Sequence, residues 1–273
     1  MHIQSLSNPR LRARQRIQAS VPPSRWSHNG QQVARLRQQL RQHRLTRHPA
    51  ITRLASEPWS HDRCVRTHLE FRHVAVQPFT DALVMAQYLT RNLEPTLPPG
   101  AKMYARALLT LNTLDEFGFW PGVCEQGYYL GDPIRAHYPL FESVLESLGV
   151  DRLQRDRYAP SGAACAAREA LESSYRTLPL VLAFLGVLEE VVQLYSPSLR
   201  ALARGQGVQT HDGYYHVHGR NDDPDSMAFD TDHQDDLWCC LQQSLGLVAY
   251  EDVSTIVGHY CDCLAAFWDE QIR

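Results

Sequence analysis

The sequence predicts an all-α helical bundle, and three observations carry that expectation. Apolar residues recur at three- and four-residue intervals in successive segments, no stretch sustains the alternation of a strand, and proline or glycine clusters separate the segments. With 273 residues, 44% of them apolar, the chain can bury a sizeable core. Residues 1–28, with Pro9, Pro22, Pro23 and no period, are expected to be loose. Val33, Leu36 and Leu40 mark a helix that ends before Pro49. Roughly Thr80 to Asn92 forms another, with Leu83, Gln87 and Thr90 along one side, closed by Pro95 and the Pro98-Pro99-Gly100 break. Ala101 to Phe117 sets Ala105, Leu108, Leu109, Asn112 and Glu116 on one face, and an aromatic, glycine-containing loop from Gly118 to Asp132 follows.

The next helix is expected to start at Pro133, a favourable first-turn residue, and to align His137, Leu140, Phe141, Val144 and Leu148 before Gly149. Ser161 caps a helix through Ser174, and residues 178–195 form one that is apolar on every side up to Leu188. A glycine- and aspartate-rich stretch, Gln209 to Ala228, leads to a helix from Asp230 to Gly246 that aligns Asp230, His233, Leu237 and Cys240. Glu251 to Ile272 closes the chain behind Val253, Val257, Tyr260 and Leu264. The expected architecture is a bundle of seven or eight helices, with residues 1–75 as a basic, partly helical extension and 76–273 as the main helical domain.

Composition removes several function classes. No apolar run approaches the ~20 residues of a membrane span, and the polar N-terminus lacks an apolar signal core, so a cytoplasmic protein is expected. Seven scattered cysteines read as reduced thiols. His259, Cys261 and Cys263 are too tightly spaced for a two-thiolate zinc finger and have no second half. The net charge of −3 conceals an asymmetry: residues 1–75 hold fourteen arginines against Glu57, Asp62 and Glu70, a surplus of eleven, which leaves −14 for the remainder. The arginines lack interleaved aromatics and the acidic remainder repels phosphate, so the basic segment is expected to lie on the acidic body rather than on nucleic acid. That body belongs to the same chain or to its mate in a homodimer.

The informative residues are polar ones on apolar faces. Glu116 shares a face with Ala105, Leu108 and Leu109; His137 stands in line with Phe141 and Val144; Glu189 and Glu190 follow a stretch buried all round; Asp230 and His233, three residues apart, share a face with Leu237. An unpaired buried carboxylate costs several kcal/mol or is forced to neutralise. Acids and imidazoles converging from four helices call for a common compensating charge, which a divalent metal pair provides. Glu70-x-x-His73 pairs with Asp230-x-x-His233 as in ferritin-like carboxylate bundles, but in the wrong chain order, so Glu70 and His73 are expected at the surface or behind the ligands.

Asp115-Glu116-Phe117-Gly118, then Gly131-Asp132-Pro133-Ile134-Arg135-Ala136-His137-Tyr138-Pro139-Leu140-Phe141, then Leu145 through Gly149-Val150-Asp151 resemble the haem-oxygenase-like di-iron oxidases and oxygenases, a family of iron-containing redox enzymes. The likeness covers roughly Ala101 to Gly246. It implies a haem-oxygenase-like bundle, two Fe ions and use of O2. It also implies a ligand set of Glu116, His137, Glu189, His218, Asp230 and His233, with Glu190, His216 and Asp222 as alternates. The sequence departs from the family by an insertion between Glu116 and His137 and by the separation of His218 from Asp230. The implied reaction is N-oxygenation, desaturation or C–C cleavage of a small amino-acid- or fatty-acid-derived metabolite in specialised biosynthesis; the expected partners are that metabolite and O2, with no nucleic acid or membrane. Arg135, Trp120 and Tyr128 are expected to bind an acidic, partly apolar substrate. The rival expectations are a metal-free relative of the same fold, acting as a cofactorless oxidase or hydrolase, and a non-catalytic helical binding protein.

Overall fold

A computed structural model describes residues 8–94, 96–218 and 230–273; the side chains of Asp230 and Thr231 are not described. Among the described residues the protein is helical apart from one short hairpin. The helices run α1 (Pro9–Ser20), α2 (Pro23–Gln42), α3 (Ala50–Ser56), α4 (His61–Phe71), α5 (Gln77–Leu89) and α6 (Ala101–Glu116). After the hairpin come α7 (His137–Ser147), α8 (Arg152–Arg157), α9 (Gly162–Ser173), α10 (Leu178–Gly205), α11 (Tyr214–Val217), α12 (Asp230–Ser244) and α13 (Tyr250–Gln271).

Helix α10 is the axis. It packs against α12, α3, α13 and α5, and its residues Val181 to Leu188 are buried on every side. The helix continues ten residues beyond the expected Tyr195, to Gly205, and is long and apolar enough to cross a bilayer. In this protein 78% of its most apolar window is buried against neighbouring helices, so that apolarity serves the core. Gly186 lets α12 approach closely: a Cβ there would meet the Trp238 ring at 2.8 Å. Phe184 stacks on Tyr260 and Tyr195 on Trp268, which ties α10 to α13.

Pro9–Ser20 and the chain from Pro23 onward are helical, contrary to the looseness expected for 1–28. Pro9 and Pro23 sit in the first turns of α1 and α2, where a missing N–H costs nothing, and Asn8 caps α1 by accepting from Arg10 N. These helices belong to the same core as the rest: Ile17, Leu36 and Leu40 are buried in it. Arginines of α1, α2 and the turn that follows them meet the acids of α12 and α13. Asp236 takes Arg10 at 2.5 Å and Arg14 at 2.6 Å, Arg37 reaches Asp235 at 3.4 Å, and Arg44 reaches Asp269 at 2.9 Å. The strong charge asymmetry of the sequence thus meets its counter-charge within one chain.

Two further differences from the sequence expectation shape the site. The aromatic loop after α6 is an antiparallel hairpin, β1 (Phe119–Val123) with β2 (Tyr129–Gly131), and α7 starts at His137 rather than Pro133, after a single 3-10 turn. A π turn, Arg72–Val76, joins α4 to α5. Glu70, just before it, is buried rather than superficial. Its carboxylate accepts from Tyr158 Oη at 2.5 Å, Ser161 N at 2.9 Å and Ser161 Oγ at 2.8 Å, which anchors the start of α9.

Candidate metal centre

The last turn of α6 carries Asp115 and Glu116, and the first residue of α7 is His137. Twenty intervening residues are folded out of the way by the hairpin, whose base is closed by Asp132 N donating to Gly118 O at 3.0 Å. Gly118 makes that closure feasible. Its φ is +79°, and a Cβ would lie 2.5 Å from Asp132 O and 2.6 Å from Ala136 N. Gly118→Ala is therefore expected to cost more than about 2 kcal/mol in urea unfolding, from left-handed strain plus backbone collision, and to displace His137 from Glu116. Unchanged stability in this variant would contradict the closure described.

His218 arrives differently. It follows α11, a single turn of four residues that cannot hold itself, and tertiary contacts fix it. Tyr215 hydrogen-bonds to His68 Nε2 at 2.6 Å through its hydroxyl, Arg200 Nη2 donates to His218 O at 2.9 Å, and the Tyr214 ring packs on those of His218 and Phe141. His68 is fully buried. Its Nδ1 lies 2.8 Å from Cys64 O, and burial lowers its pKa to about 4.

A histidine whose folded pKa lies below its unfolded value of about 6.5 contributes its full stability above that pH and loses it as pH falls toward 4. For His68 the loss approaches roughly 3 kcal/mol. Unfolding midpoints measured at pH 7 and near pH 4.5 should differ less for His68→Gln than for the wild type. Equal differences would remove His68 as a source of acid lability.

These elements converge. The carboxylate of Glu116 and the imidazoles of His137 and His218 bring one ligand atom each within 4.8 Å of one another, and all three residues are buried. Ligands about 2.1 Å from one ion stand up to about 4.2 Å apart, so the spread is that of a coordination sphere slightly relaxed. His137 Nδ1 is 3.0 Å from Glu116 Oε2, and the His137 and His218 rings meet edge to face at 4.4 Å. Glu189 of α10 lines the same small cavity, with Val76 of the π turn, Phe79 and Val192 as its apolar wall. Glu190 faces elsewhere and accepts from Gln234 Nε2 at 2.7 Å; His216 is exposed.

A second edge adjoins the first. Asp115 Oδ2 lies 3.8 Å from His137 Nε2 and 3.8 Å from His233 Nε2, the latter on α12 and buried. Sequence reasoning passed over Asp115, although it stands next to Glu116 in a helix-terminal Asp-Glu pair. Asp222 lies outside the described residues, as does the side chain of Asp230. Of the expected substrate-binding residues, Trp120 lines a neighbouring cavity, Tyr128 is 75% exposed at the hairpin tip, and Arg135 is solvated 3.8 Å from Asp212.

The electrostatics distinguish the two acids. Burial works to raise the Glu116 carboxyl, but the imidazoles of His137, His218 and His233 overcome it and hold Glu116 below the usual range. Burial, reinforced by the charge of Glu116, leaves Asp115 above its ordinary value in spite of His137 and His233. The donor set is oxygen and imidazole nitrogen only. Cys240, aligned with His233 on α12, instead contacts Ala105 O, and burial pushes its thiol well up, away from the thiolate a soft metal needs. Such donors suit iron, manganese or zinc, so the residues present fit a metal of the kind the resemblance implies. The grouped Cys261, Cys263 and His259 amount to one weak contact, Cys263 Sγ to His259 Nε2 at 3.7 Å.

No protein-family model matches the chain, and a search of curated proteins finds no significant match.

Proposed function

We propose that this protein is a non-haem di-iron oxidoreductase of haem-oxygenase-like fold that uses O2 to oxidise a small metabolite. The observation that carries this reading is the buried Glu116–His137–His218 group, assembled from three separate chain segments, with Glu189 in its cavity and Asp115 between His137 and His233 alongside. Glu116, His137, His218 and Glu189 would hold one side of the metal pair, and Asp115 with His233 the other. Iron bound there would supply one-electron redox chemistry and activation of O2.

The chain's own residues do the rest. Val76, Phe79 and Val192 keep water from the ligand cavity, so charge interactions in it are less screened. The His68–Tyr215 bond and the Arg200 contact hold His218 in place, as partners behind a ligand usually do. His137 begins α7, which sets its imidazole beside the carboxylates of Glu116 and Asp115. The reaction class follows from the resemblance: N-oxygenation, desaturation or C–C cleavage.

The test is an anaerobic Fe(II) titration of the apoprotein, followed by exposure to O2 with the absorption spectrum and O2 consumption recorded. Two irons per chain and O2 uptake, both lost in His137→Ala and His233→Ala, are the expected results. Uptake of iron that is absent, or that is unchanged in the variants, would overturn the reading in favour of a metal-free enzyme or a binding protein.

A further inference from the structure

A second cavity, of about 440 Å³, opens beside the metal centre between α1, the end of α6 and the hairpin. Leu111 and Leu114 of α6 form one wall and Phe119, Trp120 and Val123 of the hairpin the other. Its inner end is Asp115 and His233, the pair that also forms the outer edge of the metal centre. Its guanidinium is that of Arg10, and Arg10 Nη1 is already engaged by Asp236 Oδ2 at 2.5 Å. Arg135 does not line it. Small-molecule sites typically have this size and makeup: apolar walls with a few polar groups at one end. Trp120 is 44% exposed and Val123 62% exposed, apolar surface that a ligand would cover.

We propose that this cavity receives the apolar body of the substrate, an uncharged aliphatic or aromatic chain, and presents its end to the Asp115–His233 edge. Calling the occupant a substrate rests on the function proposed above; binding in the cavity does not require the metal. A carboxylate brought to the inner end would be desolvated beside Asp115, with the neighbouring guanidinium already neutralised, and that costs affinity. An uncharged chain gains with every methylene it buries, about fourfold in binding constant each. The hairpin between Glu116 and His137 thereby serves as the wall that decides what fits.

The experiment titrates metal-free protein with n-alkanols from hexanol to dodecanol and with the alkanoates of equal length, by calorimetry and tryptophan fluorescence. Alkanol affinity is expected to rise about fourfold per methylene until the cavity is filled, and each alkanoate to bind more weakly than its alkanol. Leu114→Trp, which fills the cavity, should weaken the longer alkanols by at least about tenfold, and Leu153→Trp on the exposed face of α8 should not. Val123→Asp, on the open side of the hairpin, gives a second test should Leu114→Trp fold poorly by circular dichroism, and it too should weaken binding. Affinity independent of chain length, affinity unchanged in both cavity variants, or tighter binding of the alkanoates would overturn the proposal. Alkanol binding without iron uptake would leave the cavity standing and remove the metal reading; iron uptake without alkanol binding would do the reverse.

Discussion

Fe(II) supplied anaerobically at about a hundred times its dissociation constant should stabilise the wild-type protein by about 2.7 kcal/mol per site, and His137→Ala should abolish most of that gain. In a chain of this size the gain corresponds to a rise in melting temperature of about 5–10 °C. The reasoning is linkage. An ion that binds the folded chain alone draws its binding energy from folding, and His137 lies within reach of both the Glu116 and the Asp115 carboxylates. Glu116→Ala should behave likewise. Glu70→Ala is the control: it removes an equally buried carboxylate whose partners are Tyr158 and Ser161, so its cost should be the same with or without iron. A metal-dependent gain that survives in His137→Ala would show that the ion binds elsewhere, and equal losses in all three variants under both conditions would make the acids and imidazoles merely structural.

Asp236→Ala should cost about 3 kcal/mol or more, measured as the shift in the urea midpoint, and should make α1 the first segment cut in limited proteolysis. Asp236 is 1% exposed and holds two guanidiniums that are themselves largely covered, Arg10 at 13% and Arg14 at 28% side-chain exposure. Deleting the acid leaves two cations facing one another with only the exposed Asp232, 3.7 Å from Arg14, beside them, which is far worse than never having placed the pair. Asp236→Asn, which keeps the shape and some hydrogen bonding, should recover part of the loss. A wild-type midpoint for Asp236→Ala would mean that α1 is held by its apolar face alone, through Ala13 and Ile17.

Much of the scaffold is readable from the residues because helix periodicity is local. The buried stripe of α2, the Ser161 cap of α9 and the alignment of His233 with Leu237 and Cys240 need no tertiary knowledge. Glu116 and His137 are readable for a related reason, since a polar side chain on an apolar stripe is an anomaly visible within one helix. What escapes is non-local. Asp115 looks like an ordinary acid at a helix end until His137 and His233 arrive from other helices. Pro9 and Pro23 read as breakers because a first-turn proline and a loop proline look alike in sequence until the helix behind them is supported by tertiary contacts. For α1 those contacts are helix α6 and the acids of α12, the latter more than two hundred residues away. The π turn at Arg72–Val76 and the hairpin likewise have no periodic signature, and that Glu189 lines the small cavity while Glu190 meets Gln234 depends on a different helix.

The hairpin has a consequence for how such a protein can diversify. Its base is pinned by the Gly118–Asp132 contact, while its tip, Cys124 to Tyr128, closes through a glycine at positive φ with Tyr128 in solvent. Length and sequence changes at the tip should be absorbed before they reach the helices and should leave the spacing of Glu116 and His137 intact. Changes along Phe119–Val123 instead reshape the adjoining cavity. On the reading proposed above, the residues that would hold the ion flank the hairpin while those that would choose the ligand lie along it, so grafted hairpins of different sequence should change ligand binding while sparing metal binding.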